Sequence, residues 1–151
     1  MQTQIETWQI NTRLNEYLLS AIDEKHLSDR SAAKGRTVGE QLAHIHNVRL
    51  MWIQVTDPEF FKSLKKIEKE TITKKILIDA LQKSAAAMTG VLTKGFETGK
   101  IKGFKPHADA FLGYLIAHEA HHRSQVVLIL KENGHALDKK ILYGLWEWGV
   151  R

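Results

Sequence analysis

His118 and His122 stand four residues apart in the segment Ala117-His118-Glu119-Ala120-His121-His122-Arg123-Ser124-Gln125. On a helix that spacing puts both imidazoles on one side, with Cβ atoms roughly 5–6 Å apart. One ion can then take a nitrogen from each ring at about 2.0–2.1 Å. A pair of ligands is not a full site, so a third must come from another helix. The segment Gly39-Glu40-Gln41-Leu42-Ala43-His44-Ile45-His46 supplies two candidates. His44 shares its helical row with Gln41, Val48, Met51 and Val55, which is mostly apolar. His46 shares one with Leu42, Arg49 and Ile53, which is more polar. The apolar row favours His44 as the inward-facing ring, while periodicity leaves His46 open. A buried imidazole without polar partners costs on the order of 1–3 kcal/mol, and a shared metal satisfies several at once.

The same segment spells His118-Glu119-x-x-His122, the short zinc-protease signature in which the glutamate is a general base. Its surroundings argue against that chemistry. The extended signature needs a glycine and a histidine where Gln125 and Leu128 stand, and no β-sheet is expected to border a substrate cleft. Glu119 and Arg123, at i and i+4, are expected to pair on the surface. Gln125 lies one turn beyond His122 and is a candidate hydrogen-bond partner for a ligand or substrate. Asn11 and Asn15, beside the apolar face of the first helix, are candidate acceptors for a ligand N–H. His26 and His121 read as surface residues, and His107 and His135 as helix-end residues.

The elements that must position these groups are helical. No stretch sustains period-2 alternation, and the chain reads as four long helices with a short tail. The first is expected over roughly Thr3 to Lys25, with Ile5, Trp8, Leu14, Leu18, Ala21 and Ile22 on its apolar side. Thr37 and Glu40 form a capping box that starts the second, and Asp57-Pro58 stops it. The third starts near Thr73 and frays at Gly95 and Gly99. The fourth runs from about Ala108 to Asn133, with Gly134 as a C-terminal stop. Its stripe of Phe111, Leu115, His118, His122, Val126 and Ile129 predicts two histidines aimed into the core. The tail from Leu137 to Arg151 reads as a short amphipathic helix whose Leu142, Leu145, Trp146 and Trp148 close one end of the core. Short connections between helices predict a four-helix bundle, all-α, formed by residues 1–151 as a single domain.

Composition narrows the chemistry. The 151 residues contain no cysteine, so disulfides, thiolate ligands and a cysteine nucleophile are excluded. Any thiol chemistry needs a thiol brought by a substrate. The net charge of +5 is scattered over several segments rather than gathered on one element, so no nucleic-acid partner is expected. No apolar run reaches the roughly 18 residues of a membrane span, and Met1 to Glu6 lacks the pattern of a secretory leader, so a cytoplasmic location without membrane association is expected.

The pairing of Thr37-Val38-Gly39-Glu40-Gln41-Leu42-Ala43-His44-Ile45 with His118-Glu119-Ala120-His121-His122-Arg123-Ser124-Gln125-Val126 resembles the DinB/YfiT-like family, over nearly the whole chain. The family often has glycine where Ser124 stands, a change a helix tolerates. The resemblance implies an up-down-down-up four-helix bundle, often a homodimer. It also implies a divalent metal held by three histidines, which are His44, His118 and His122 in this sequence. Imidazole ligands accept Zn²⁺, Ni²⁺ or Fe²⁺. Three protein ligands leave a position open for water or substrate. The activities the resemblance implies are thiol S-transfer, using a low-molecular-weight thiol, or hydrolysis of a small molecule. The alternative is a metal-stabilised bundle with a stress-response or binding role and no turnover.

Overall fold

The computed structural model describes residues 1–151. Four long helices dominate it: α1 (Gln2–Ser20), α2 (Val38–Thr56), α4 (Lys74–Thr98) and α5 (Ala108–Glu132), with short helices α3 (Pro58–Phe61) and α6 (Lys139–Gly144). The start of α2 is the capping box read from the sequence: Thr37 Oγ1 accepts from Glu40 N, and Glu40 Oε2 accepts from Thr37 N. Thr73 caps α4, and its Oγ1 accepts from Ile76 N. His107 caps α5, and its Nδ1 accepts from Ala110 N.

Cross-helix hydrogen bonds fix the directions. Trp8 donates to the Ala85 carbonyl and Lys74 Nζ to those of Ser20 and Ile22, so α1 and α4 run antiparallel. His46 meets Ala80 and Arg49 meets Ser84, so α2 runs parallel to α4. Gln41 meets His122 and Trp52 meets Tyr114, so α5 is antiparallel to α2. The order is up, down, down, up. Helices α1 and α2 each pack between α4 and α5. A parallel step from α2 to α4 needs a connection that returns along the bundle, and residues 57–73 provide it. That crossover is pinned from inside: His46 binds the Lys65 carbonyl, and Asn47 exchanges two hydrogen bonds with Ile67.

Three expectations are corrected. The first helix ends at Ser20, because Asp23 accepts from Lys25 N and caps a separate 3₁₀ turn over Glu24–Ser28. Gly95 does not fray α4; it is a buried helical position where a Cβ would collide with the Ile101 side chain. Gly99, in the left-handed region at φ 72°, is the actual stop. In the tail, Leu145 packs against the core, whereas Trp146 is 82% exposed and Trp148 is exposed, so those indoles do not close it.

The core is divided. One apolar cluster gathers Leu18, Leu42, Ile45, Leu77, Leu81, Val126 and Ile129, among others. A second gathers Trp8, Ile53, Met88, Leu92, Phe111 and Leu115, among others. Between them lies a buried polar layer that includes Asn11, Asn15, Arg49, Ser84, Glu119 and Arg123. No helix is long and apolar enough to cross a membrane.

Candidate metal centre

His44, His118 and His122 come together along the seam between α2 and α5. Their ligand nitrogens all lie within 4.8 Å of one another. The Nε2 atoms of His118 and His122 are 3.1 Å apart, close enough to share one ion. Ring centroids are separated by 4.5 Å (His118–His122), 4.6 Å (His44–His122) and 5.3 Å (His44–His118). The rings are mutually tilted by 54–68°, so they surround a point rather than stack.

Gln41 sets the chemistry of the deepest ring. Its Oε1 accepts from His122 Nδ1 at 2.6 Å. An Nδ1 proton held there leaves the Nε2 lone pair facing His118 and His44, which is the tautomer a metal ligand needs. Burial, followed by the neighbouring His118 and His44, pushes His122 down to about 3. Burial and Arg36 push His44 down to about 4. Burial also lowers His118, against the opposing charge of Glu119. All three rings are therefore held neutral in the physiological range, as ligands must be. His122 is buried and the other two are half-buried. His44 borders an open cleft of about 420 Å³, also lined by three cations, Arg36, Lys66 and Lys69, and three carboxylates, Glu40, Glu68 and Glu70.

The polar layer beneath the triad is a separate construction. Arg49 donates Nε to Glu119 Oε1 at 2.7 Å and Nη2 to Oε2 at 2.8 Å. Asn11 and Asn15 each donate to Oε2 at 2.7 Å. Their side-chain oxygens in turn accept from Arg123 Nη1 at 3.0 and 2.7 Å. Arg49 Nη1 reaches the Leu81 carbonyl and Ser84. Burial alone would raise the Glu119 carboxyl, but the Arg49 guanidinium and the Asn15 amide outweigh it and hold the group below its usual range. Burial and Arg49 bring Arg123 down to about 10, although Glu119 supports its charge.

This layer overturns several expectations. Glu119 and Arg123 are not a surface pair; both are buried, and Glu119 is 1% exposed. Asn11 and Asn15 hold Glu119 and Arg123 rather than a histidine. With every Glu119 oxygen committed to N–H donors, it is not free to act as the base of a zinc protease. The triad lies at a helix seam, and the central position of α5 belongs to Glu119. Helical geometry explains this: residues 118 and 119 flank the line through Leu115 and His122 on either side, at about 100° per residue. Arg49 across the bundle decides which of them turns inward. His46, set aside as the more polar option, is fully buried, but its nitrogens bind the Ala80 and Lys65 carbonyls, away from the triad. The acceptor for His122 Nδ1 is Gln41 Oε1. His107 sits at a helix end as expected, and His121 is exposed.

The sequence reading missed Gln41 as a positioning residue and Arg49 as an interior one. Gln41, one turn before His44 on the same row, carried a signal. Arg49 carried none, because its partner lies on another helix.

The sequence profile of the DinB family matches residues 1–147. No curated protein matches the chain. Among solved structures, the crystal structure of a DinB-like protein from Bacillus cereus is similar, with a TM-score of 0.72 and 20% identity, covering 91% of this chain and 95% of that one. At that identity the likeness bears on the fold.

Proposed function

The chain belongs to the DinB family, and we propose on that premise that His44, His118 and His122 hold a divalent metal ion in a small-molecule enzyme. The observation that carries this reading is the convergence of three neutral imidazole nitrogens, one with its tautomer set by Gln41. When bound, such an ion supplies a Lewis acid that lowers the pKa of a coordinated water or thiol. The donor set, three nitrogens and no sulfur, suits Zn²⁺, Ni²⁺ or Fe²⁺.

The half-buried state of His44 and His118 supports an open rather than a closed site, and so supports turnover over a purely structural metal. The cleft beside His44 is the place for a substrate. Lys66 and Lys69 pair with Glu68 and Glu70 on its wall, which leaves Arg36 as the cation that favours an anionic group, and the Arg36 charge is felt at all three imidazoles. A chain without cysteine must take any thiol from outside, so the reaction classes are transfer of an external thiol to an electrophile, or hydrolysis. The Glu119 carboxylate takes no part; its role is to hold α1, α2 and α5 in register around the triad.

Elemental analysis of the purified chain and of His118→Ala tests the reading, followed by thiol-plus-electrophile and ester-hydrolysis assays on each metallated form. A metal-to-chain ratio in His118→Ala equal to that of the unaltered chain would sink the triad assignment. Metal without turnover on any substrate would leave the non-catalytic bundle as the better account.

A further inference from the structure

We propose that His26, Asp29 and His135 form a second divalent-metal site, of zinc-binding character, that ties the end of α5 to the loop before α2. The three ligand atoms lie within 4.8 Å of one another. His26 belongs to the 3₁₀ turn Glu24–Ser28, Asp29 follows that turn, and His135 follows the turn that ends α5. The site is at one end of the bundle. It lies roughly 15 Å or more along α5 from His122, given about ten intervening helical residues at ~1.5 Å each.

The Asp29 carboxylate is the first indication. It is only 11% exposed, yet accepts a single hydrogen bond, from His135 Nδ1 at 2.6 Å. Glu119, more deeply buried at 1% exposed, receives four N–H donors. A largely shielded carboxylate with one donor has acceptor positions left for an ion. The second indication is the placement of the rings. The imidazoles of His26 and His135 face each other with centroids 3.6 Å apart and a 30° tilt, and His26 Nδ1 stands 3.7 Å from the same carboxylate oxygen. The facing rings bring both Nδ1 atoms beside one carboxylate oxygen, within the spread that a single ion bridges.

Little movement is needed. Tetrahedral ligands at about 2.0–2.2 Å from an ion are ~3.4 Å from each other. The 2.6 Å contact would open and the 3.7 Å contact would close, each by less than about 1 Å. The backbone is already fixed: Asp29 N donates to the His26 carbonyl, Val38 N to that of Asp29, and Asn133 Nδ2 to that of Arg30. A cavity of about 290 Å³ adjoins both histidines, leaving room for water to complete the coordination. Two imidazoles and a carboxylate are a borderline-hard donor set that suits Zn²⁺.

The test is zinc titration of the full chain after chelator treatment, with bound zinc counted by elemental analysis. In His44→Ala/His118→Ala, about one zinc per chain is expected to remain, and adding His26→Gln or Asp29→Asn should abolish it. A triad-deficient chain that binds no zinc, or a zinc that survives both His26→Gln and Asp29→Asn, overturns the proposal. If the triad-deficient chain is unfolded by far-UV circular dichroism, the same count is made on the otherwise unaltered chain. There His26→Gln must lower the stoichiometry by about one, and an unchanged count overturns the proposal.

Discussion

Arg49 and Glu119 meet at the centre of the bundle as a two-pronged ion pair, Nε to Oε1 at 2.7 Å and Nη2 to Oε2 at 2.8 Å, with both side chains 1% exposed. The pair joins α2 to α5, the two helices that carry the candidate metal ligands. Asn11 and Asn15 extend it to α1, and Ser84 to α4. All four long helices therefore share one saturated polar layer, and the triad sits on its edge.

Removing one member should be costly. Glu119→Gln leaves two buried guanidinium groups facing a neutral amide, and breaking a buried pair from one side costs about 3–5 kcal/mol. The expected outcome is an unfolding free energy, read from urea denaturation, lowered by that amount, with metal content per folded chain preserved. If metal were lost while stability was unchanged, Glu119 would belong to the site and not to its support.

Gln41→Leu is expected to act in the opposite way. It removes the acceptor that holds the His122 Nδ1 proton but leaves all three rings in place. Loss of such a partner weakens metal affinity about 10–100-fold. Competition with a chromophoric chelator measures it, and an unchanged affinity would show that the tautomer is set by something else.

His46 predicts a local effect. Its two nitrogens bridge α4, at the Ala80 carbonyl, and the crossover, at the Lys65 carbonyl, both at 2.9 Å. The neutral imidazole donates to one of the two carbonyls, so His46→Leu leaves one buried acceptor unsatisfied, at about 1–3 kcal/mol, and removes the ring that spans the gap. Amide exchange and proteolysis should rise in residues 57–73 before they rise elsewhere. A uniform rise along the chain would contradict the pinning role.

These cases mark what was legible in the sequence. Helix starts were readable because their signals are local: Thr37 with Glu40, Thr73 with the Ile76 amide, and His107 ahead of α5. The i, i+4 histidines were readable for the same reason. Interior position was not. The apolar row containing His44 is the one the structure leaves at the rim, with Met51 and Val55 exposed. The row with His46 and Arg49 faces inward, because Arg49 finds a carboxylate seventy residues away. A charged residue looks like surface until its partner on another helix is known. The His26–Asp29–His135 cluster was hidden for the same reason, since its parts lie at opposite ends of the chain.

A glycine pair separates packing from propensity. A Cβ at Gly95 would meet the Ile101 side chain in the core, whereas one at Gly90 meets nothing within 4 Å. Both positions are inside α4. Gly90→Ala should stabilise the chain by about 0.5–1 kcal/mol through helix propensity alone. Gly95→Ala should destabilise it by about 1–3 kcal/mol through overpacking. Thermal melts of the two variants should move in opposite directions.

The histidines set the acid limit of the metal-free chain. His44 is depressed from its ordinary 6.5 to about 4, and His122 from 6.5 to about 3, chiefly by burial. Because the folded values lie below the unfolded one, the unfolded chain takes up protons that the folded chain refuses. This contribution to stability is fully present above pH 6.5 and is lost as the pH falls through about 4 and then about 3. His46 and His118 shift in the same direction, and the lowered Glu119 adds a further loss at more acid pH. Urea midpoints of the chelator-treated chain should therefore fall steadily from neutral pH into the acid range. His44→Ala should flatten that slope by up to about one proton, since one titrating group is removed. A saturating metal that binds only the folded chain should hold the midpoint up until protons displace it from the imidazoles. A metal-free chain whose midpoint is level across this range would mean that the triad is solvated, contrary to the geometry on which the site depends.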